Sequence, residues 1–221
     1  MNVIDKPGTL KSQAADFDRF RLRRFIEGLG ADQVDTRKEQ IDLAGLAEVM
    51  EGNQKAVLFR AAGPEKAELV GNVMGGRARI AAAFGVKPAG LLAEIQRRLR
   101  NKPEIFEVTR AEAPCQQVVL TGDDADVTKL PVHLQHGADG GPYISASIDY
   151  VIDPKTGFTN VGLRRLMLRS GKETGIDLVS PSDLKAIYEA NAAAGKRTPV
   201  SFVVGAHPVD HVAGTMRLPV D

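Results

Sequence analysis

Apolar positions along the first half of the chain fall into alternating helical and extended patterns. FDRFRLRRFIEGLG (17–30) places Phe17, Phe20, Leu22, Phe25 and Ile26 near one helix face and closes on glycines suited to a helix end. LAGLAEVM (43–50) predicts a second helix, and AVLF (56–59) and ELVGNV (68–73) predict short strands. RARIAAAFG and GLLAEIQRRLRN predict two further amphipathic helices, the latter with its arginines at the end the helix dipole favours. Helices alternating with short strands imply an α/β unit over residues 1–112.

The pattern changes after KPEIFEVTRAEAP. QQVVLTG, YISASIDYVID, TNVGLRRLMLRS and TPVSFVVGA are strand-like runs bounded by Gly, Pro, Asp and Thr. DPKTG (153–157) between two of them predicts an antiparallel hairpin. One helix interrupts the strands, SPSDLKAIYEANAAAG, with Ser180 as N-cap, Pro181 at the first helical position and Gly195 beyond the end. The expected fold class is therefore α+β, an N-terminal α/β domain (1–112) followed by a mostly β domain (113–221). Internal repeats and low-complexity segments are absent.

Composition narrows the function classes. With 221 residues the chain is long enough to bury a real core, and 29 Lys+Arg against 28 Asp+Glu leaves no global charge to attract nucleic acid or an anionic membrane. Cys115 is the one cysteine, which excludes an internal disulfide and is expected to be a small core residue. No apolar run approaches the roughly 20 residues that span a bilayer, and MNVIDKPGTLKSQ has neither part of a secretion signal. The expected location is cytoplasmic.

Few residue patterns suggest chemistry by themselves. GNVMGG (71–76) fits no phosphate-loop pattern and reads as a turn between strand and helix, while HGADGGPYIS reads as a flexible lead into a strand. HPVDH has its histidines, His207 and His211, at the i, i+4 spacing of a zinc pair, with Asp210 as an orienter. A metallohydrolase centred there lacks a neighbouring Glu and a third ligand fixed by spacing. No G-x-S-x-G elbow is present, and no basic neighbour activates Cys115. What remains is polar content in an apolar setting: Asn160, Arg164 and Arg165 inside TNVGLRRLM, then Ser182 and Asp183. An arginine pair is ordinarily a solvated face.

TGFTNVGLRRLML, followed by TGIDLVSPSD and FVVGAHP, resembles the cofactor-binding region of the UbiD family of prenylated-flavin-dependent decarboxylases. LPVHLQHGADGGPYISASIDYVIDPKTG and GNVMGGRARIAAAFG resemble segments that precede it, so the likeness runs over about residues 40–221 in one order. The resemblance implies a split β-barrel (flavin-reductase-like) domain, incomplete at its C-terminal end. That domain would hold prenylated FMN with a divalent metal, usually Mn²⁺, and K⁺. By motif position Asn160 is implied as a divalent-metal ligand and Arg165 as the catalytic arginine on the substrate carboxylate. Val161, Gly162, Leu163 and Arg164 are implied to line the cofactor largely through backbone groups, with Ser182 beside them. Val161, Ala213, Gly214 and Met216 are implied around the monovalent cation. The implied reaction is non-oxidative, reversible decarboxylation of an aromatic, heteroaromatic or α,β-unsaturated acid. A UbiX-like flavin prenyltransferase would supply the cofactor, and a dimer or hexamer is the implied assembly.

Two departures from the family pattern stand out. Asp183 occupies the position of a histidine ligand, and an aspartate still suits a hard cation. The family's third ligand, a glutamate, follows a segment like MRLPVD (216–221). The expectation is thus a truncated chain or one subunit of a split enzyme, inactive alone, with a non-catalytic flavin-binding or assembly subunit as the alternative. Strand parity adds a constraint: Asn160, Gly162 and Arg164 share one face of a regular strand, and Val161, Leu163 and Arg165 the other. Asn160 and Arg165 meet on one face only if the strand bulges or twists sharply, most easily at Gly162, or if Asn160 lies just outside it, and a flat, regular strand over 159–167 with the two on opposite sides counts against the site.

Overall fold

The structure, a computed structural model, describes residues 16–101 and 108–216. It opens with a helix, α1 (Leu22–Glu27), shorter than the one expected over 17–30. Asp18 is the reason. Its carboxylate accepts from Nε of Arg24 at 2.7 Å and its carbonyl from the Arg21 N–H at 3.2 Å, which turns residues 17–20 away from the helix. β1 (Val34–Ile41), α2 (Leu46–Met50), β2 (Ala56–Ala62) and β3 (Ala67–Gly71) then form a three-stranded sheet with one helix. β1 runs parallel to β2, and β3 antiparallel to it. β1 was not anticipated: VDTRKEQI is apolar only at its ends, and backbone pairing with β2 makes it a strand. Leu46, Val57, Phe59 and Ala62 form the core of this unit.

The GNVMGG turn leads from β3 into α3 (Arg77–Ala83), with Asn72 in the left-handed region at φ 54°. Buried Arg79 ties the turn down by donating to the carbonyls of Val73 at 3.1 Å, Gln54 at 2.8 Å and Asn72 at 3.0 Å. α4 (Leu91–Arg98) follows and packs Leu91 on Ala81 and Phe84.

The strand expected at QQVVLTG does not form. Val118, Val119 and Leu120 are exposed, 3₁₀ turns carry the chain at 114–116, 122–124 and 127–129, and Cys115 is an exposed thiol rather than a core residue. No described strand pairs with this run, so its apolar content has neither a ladder nor a core to join.

β4 (Tyr143–Ile152), β5 (Thr159–Leu168) and β6 (Thr174–Ile176) follow, then α5 (Asp183–Ala193), β7 (Ser201–Val204) and α6 (Pro208–Gly214). The second sheet has the order β6-β5-β4-β7, all antiparallel. DPKTG makes the β4–β5 hairpin, with Gly157 at φ 77° donating to the Asp153 carbonyl at 2.8 Å. The N-cap of α5 is Ser182, not Ser180. Its hydroxyl accepts from the Lys185 N–H at 3.2 Å and Pro181 stands before the cap, so the helix starts two residues later than expected.

The two helices cover opposite faces of this sheet. α5 packs Leu184 and Ile187 on Val151. On the other face, a Cβ at Gly214 of α6 would stand 3.4 Å from Leu163 and 3.7 Å from Ile148. α6 also joins the two halves of the chain, because Val209 and Val212 pack on the cluster of Ala81, Phe84 and Leu91.

Candidate functional site

β5 is continuous from Thr159 to Leu168, and its exposure alternates as far as Leu166. Asn160, Gly162, Arg164 and Leu166 lie toward α5; Thr159, Val161, Leu163 and Arg165 lie toward α6. The irregularity expected at Gly162 sits instead in β4, where the register slips between Ile144 and Ser147 opposite Arg165. Exposed Ser145 and Ala146 form this bulge, which adds local twist without changing the parity of β5. Asn160 and Arg165 therefore stand on opposite faces of the strand, which counts against the expected site in which their side chains meet on one face.

Each face collects part of the expected set. Asp183 is the first residue of α5, and its neighbour Leu184 packs on Val151, the register partner of Asn160. Asn160 and Asp183 thus belong to the same side and end of the sheet. Arg165, Val161 and Gly214 belong to the α6 side, with Ala213 in the same helix and Met216 just beyond it, its N–H donating to the Ala213 carbonyl at 3.0 Å. The side chains of Asn160, Arg165 and Asp183 make no hydrogen bond or ion pair with any described residue.

Between the two faces lies an open edge. Among the described residues β6 covers the outer side of β5 only at Leu166–Leu168. The Arg164 carbonyl points toward β4, where the Ser147 hydroxyl donates to it at 2.7 Å. Because backbone groups of successive strand residues point to opposite sides, those of Val161, Leu163 and Arg165 face the open edge. The Leu163 carbonyl accepts there from Nη1 of Arg164 at 2.9 Å.

One polar residue in this sheet was not singled out from the sequence. Asp149, inside YISASIDYVI, is fully buried beside Gly162, and neither carboxylate oxygen meets a donor. Burial pushes its carboxyl above the usual carboxylate range, and nearby Arg164 only partly opposes this. The available signal was parity, since Asp149 shares a face with Ser147 and Val151. On the other face burial, helped by Asp210, pushes the Tyr150 phenol up.

Among the described residues the histidine pair has no third His, Cys, Asp or Glu placed to complete a metal site. His207 is the N-cap of α6, its Nδ1 accepting from the Val209 N–H at 3.3 Å, and its ring meets Phe20 and Phe25 edge-on at 5.6 and 5.2 Å. Burial pushes both imidazoles, at His207 and His211, below their ordinary range. Among the described residues no group of three or more His, Cys, Asp or Glu could hold a metal ion, and no helix is long and apolar enough to cross a membrane.

Residues 106–221 match the sequence profile of the 3-octaprenyl-4-hydroxybenzoate carboxy-lyase Rift-related domain, UbiD, and residues 32–99 match the N-terminal domain of the same carboxy-lyase. The UbiD-class enzyme HmfF from Pelotomaculum thermopropionicum, solved in complex with FMN, is 27% identical with a TM-score of 0.82, covering 90% of this chain and 46% of HmfF. An evolved dimeric form of HmfF in complex with prFMN superposes with a TM-score of 0.83 at 27% identity, covering 91% of this chain and 48% of that one. The phenolic acid decarboxylase of Sedimentibacter hydroxybenzoicus is 28% identical over 205 residues, 85% of this chain and 43% of the relative. The chain thus spans less than half the length of these relatives.

Proposed function

Because this chain belongs to the UbiD family of carboxy-lyases, we propose that it contributes the open edge of β5 to a decarboxylase site for an aromatic, heteroaromatic or α,β-unsaturated carboxylic acid. The cofactor in this reading is prenylated FMN, with Mn²⁺ and K⁺. The observation that carries it is the edge itself. A ligand laid along an edge is within reach of both faces of the strand, so the opposite parity of Asn160 and Arg165 serves one site rather than dividing it. This replaces the bulge at Gly162 as the way the two residues share a ligand.

The residues present suit such an occupant. The Asn160 carboxamide and Asp183 carboxylate are hard oxygen donors on the α5 side, fitted to a divalent cation. Gly214, Ala213 and Met216 on the α6 side, with Val161 at the open edge, offer backbone carbonyls for a monovalent cation. The Arg165 guanidinium is free to take a carboxylate through two parallel N–H donors, which orients the acid for loss of CO₂. Prenylated FMN, when bound, supplies the electron sink for that step. Val161, Leu163 and Arg165 present backbone N–H and C=O groups to the same edge, and exposed Val161 and Leu163 give apolar contact to a flat ring. Supply of the cofactor by a UbiX-like flavin prenyltransferase and assembly as a dimer or hexamer complete the proposal.

The test is flavin and metal retention by the purified chain. FMN supplied with Mn²⁺ is expected to stay bound through gel filtration, and Asp183→Ala is expected to lose the manganese. An Asp183→Ala protein with unchanged metal content contradicts the ligand role, and a wild-type chain that releases all flavin contradicts the site.

A further inference from the structure

Asp149 is a fully buried carboxylate with no hydrogen-bond donor among the described residues. The cation it faces is Arg164, whose Nε lies 3.8 Å from Oδ1 and is itself buried without an acceptor. Two unpaired polar groups side by side inside a sheet are costly, and an apolar residue at 149 would pack at no such cost. The neighbouring strand makes room for them. A Cβ on Gly162 would stand 3.1 Å from Oδ1 of Asp149 and 3.4 Å from Nη1 of Arg164, so glycine leaves the space both groups use.

The guanidinium spans from this interior to the ligand edge. Nε points to Asp149, Nη1 donates to the Leu163 carbonyl at 2.9 Å, and Nη2 has no described acceptor. Nη1 is the corner held by a hydrogen bond, and the Asp149 charge beside Nε orients the fork from within the sheet, which leaves Nη2 available to an oxyanion.

We propose that Asp149 is a positioning residue that holds Arg164 from inside the sheet, so that Arg164 binds an oxyanion at the open edge of β5. The oxyanion is a phosphate or a carboxylate. Identifying it with the FMN phosphate or the substrate acid rests on the function proposed above; the anion site itself does not.

Inorganic phosphate, benzoate, FMN and riboflavin are titrated separately into the full chain and each variant, and the backbone amide resonance of Leu163 is followed by NMR. Phosphate or benzoate is expected to move that resonance. Asp149→Asn is expected to weaken the binding about tenfold, as is Arg164→Lys, and the double variant to be no weaker than Arg164→Lys alone, since charge-assisted pairs are worth about this much. Gly162→Ala, which displaces the pair while keeping both charges, gives the same loss. A loss for FMN that spares riboflavin identifies the flavin phosphate, and a loss confined to benzoate identifies the substrate carboxylate. Additive losses in the double variant overturn the proposal, as does an Asp149→Asn chain that fails to fold, or a wild type that binds phosphate and benzoate no better than Arg164→Ala. Binding of the simple anions without any flavin leaves the proposal standing and removes the function above.

Discussion

Arg79 and Arg164 are drawn inward, one in each sheet-containing unit, and they are treated in opposite ways. Arg79 is buried with donors on three backbone carbonyls, and it fixes the turn between β3 and α3. Arg164 keeps a buried Nε unpaired beside an unpaired carboxylate, and its remaining donors reach an open strand edge. A buried arginine that serves the fold is fully satisfied; one left short of partners is held for something else. The comparison separates a residue whose loss should unfold the chain from one whose loss should spare the fold and empty a site.

The largest effect expected from this contrast is at Arg79. Arg79→Ala strands three carbonyls around a cavity and is expected to cost about 3–5 kcal/mol in urea denaturation. Asp149→Asn is expected to go the other way or nowhere, a change of about 0–1 kcal/mol towards stability at neutral pH, because it removes a desolvated charge that lacks hydrogen bonds. Its pH dependence has a definite sign. Burial holds the native carboxyl above its unfolded value, so the native state keeps the proton more tightly, and stability falls as pH rises from the unfolded to the native pKa. The Asp149→Asn protein is expected to lack that fall, and a wild type with no difference in this window would break the comparison. Gly162→Ala sits between the two. Its methyl meets Asp149 at 3.1 Å, and a loss of about 1–2 kcal/mol is expected from crowding, relieved in the Asp149→Ala background. The smallest effect concerns the cap of α5: Ser182→Ala is expected to cost about 1 kcal/mol by thermal denaturation and Ser180→Ala nothing measurable.

The elements with strong periodicity were legible in the sequence, and those held by the backbone were not. α3, α4, β2 and the β4–β5 hairpin follow from apolar spacing and turn residues. β1 carries Asp35, Arg37, Lys38, Glu39 and Gln40 and becomes a strand through β2, and Thr174–Ile176 is too short to leave a pattern. QQVVLTG shows the reverse error, an apolar run without a partner strand. At the site, Asn160, Arg165 and Asp183 were identified by resemblance, and strand parity correctly marked the difficulty between the first two. What parity could not reveal is that the outer side of β5 is an open edge before Leu166, which depends on where β6 stops. Asp149 was readable as a carboxylate on the inward face of an apolar strand, but its lack of donors is a property of packing. His207 and His211 have metal-like spacing, and Nδ1 of His207 caps α6, a role the spacing did not reveal.

The central claim is that the outer edge of β5 between Asn160 and Arg165 receives the flavin. Residue-resolved hydrogen exchange tests it most directly. Without ligand, the amides of Val161 and Leu163 should exchange quickly while those of Gly162 and Arg164, paired to β4, exchange slowly. Added FMN should slow Val161, Leu163 and Arg165 and leave Gly162 and Arg164 unchanged. Bound flavin with no protection at the three edge amides would contradict the account.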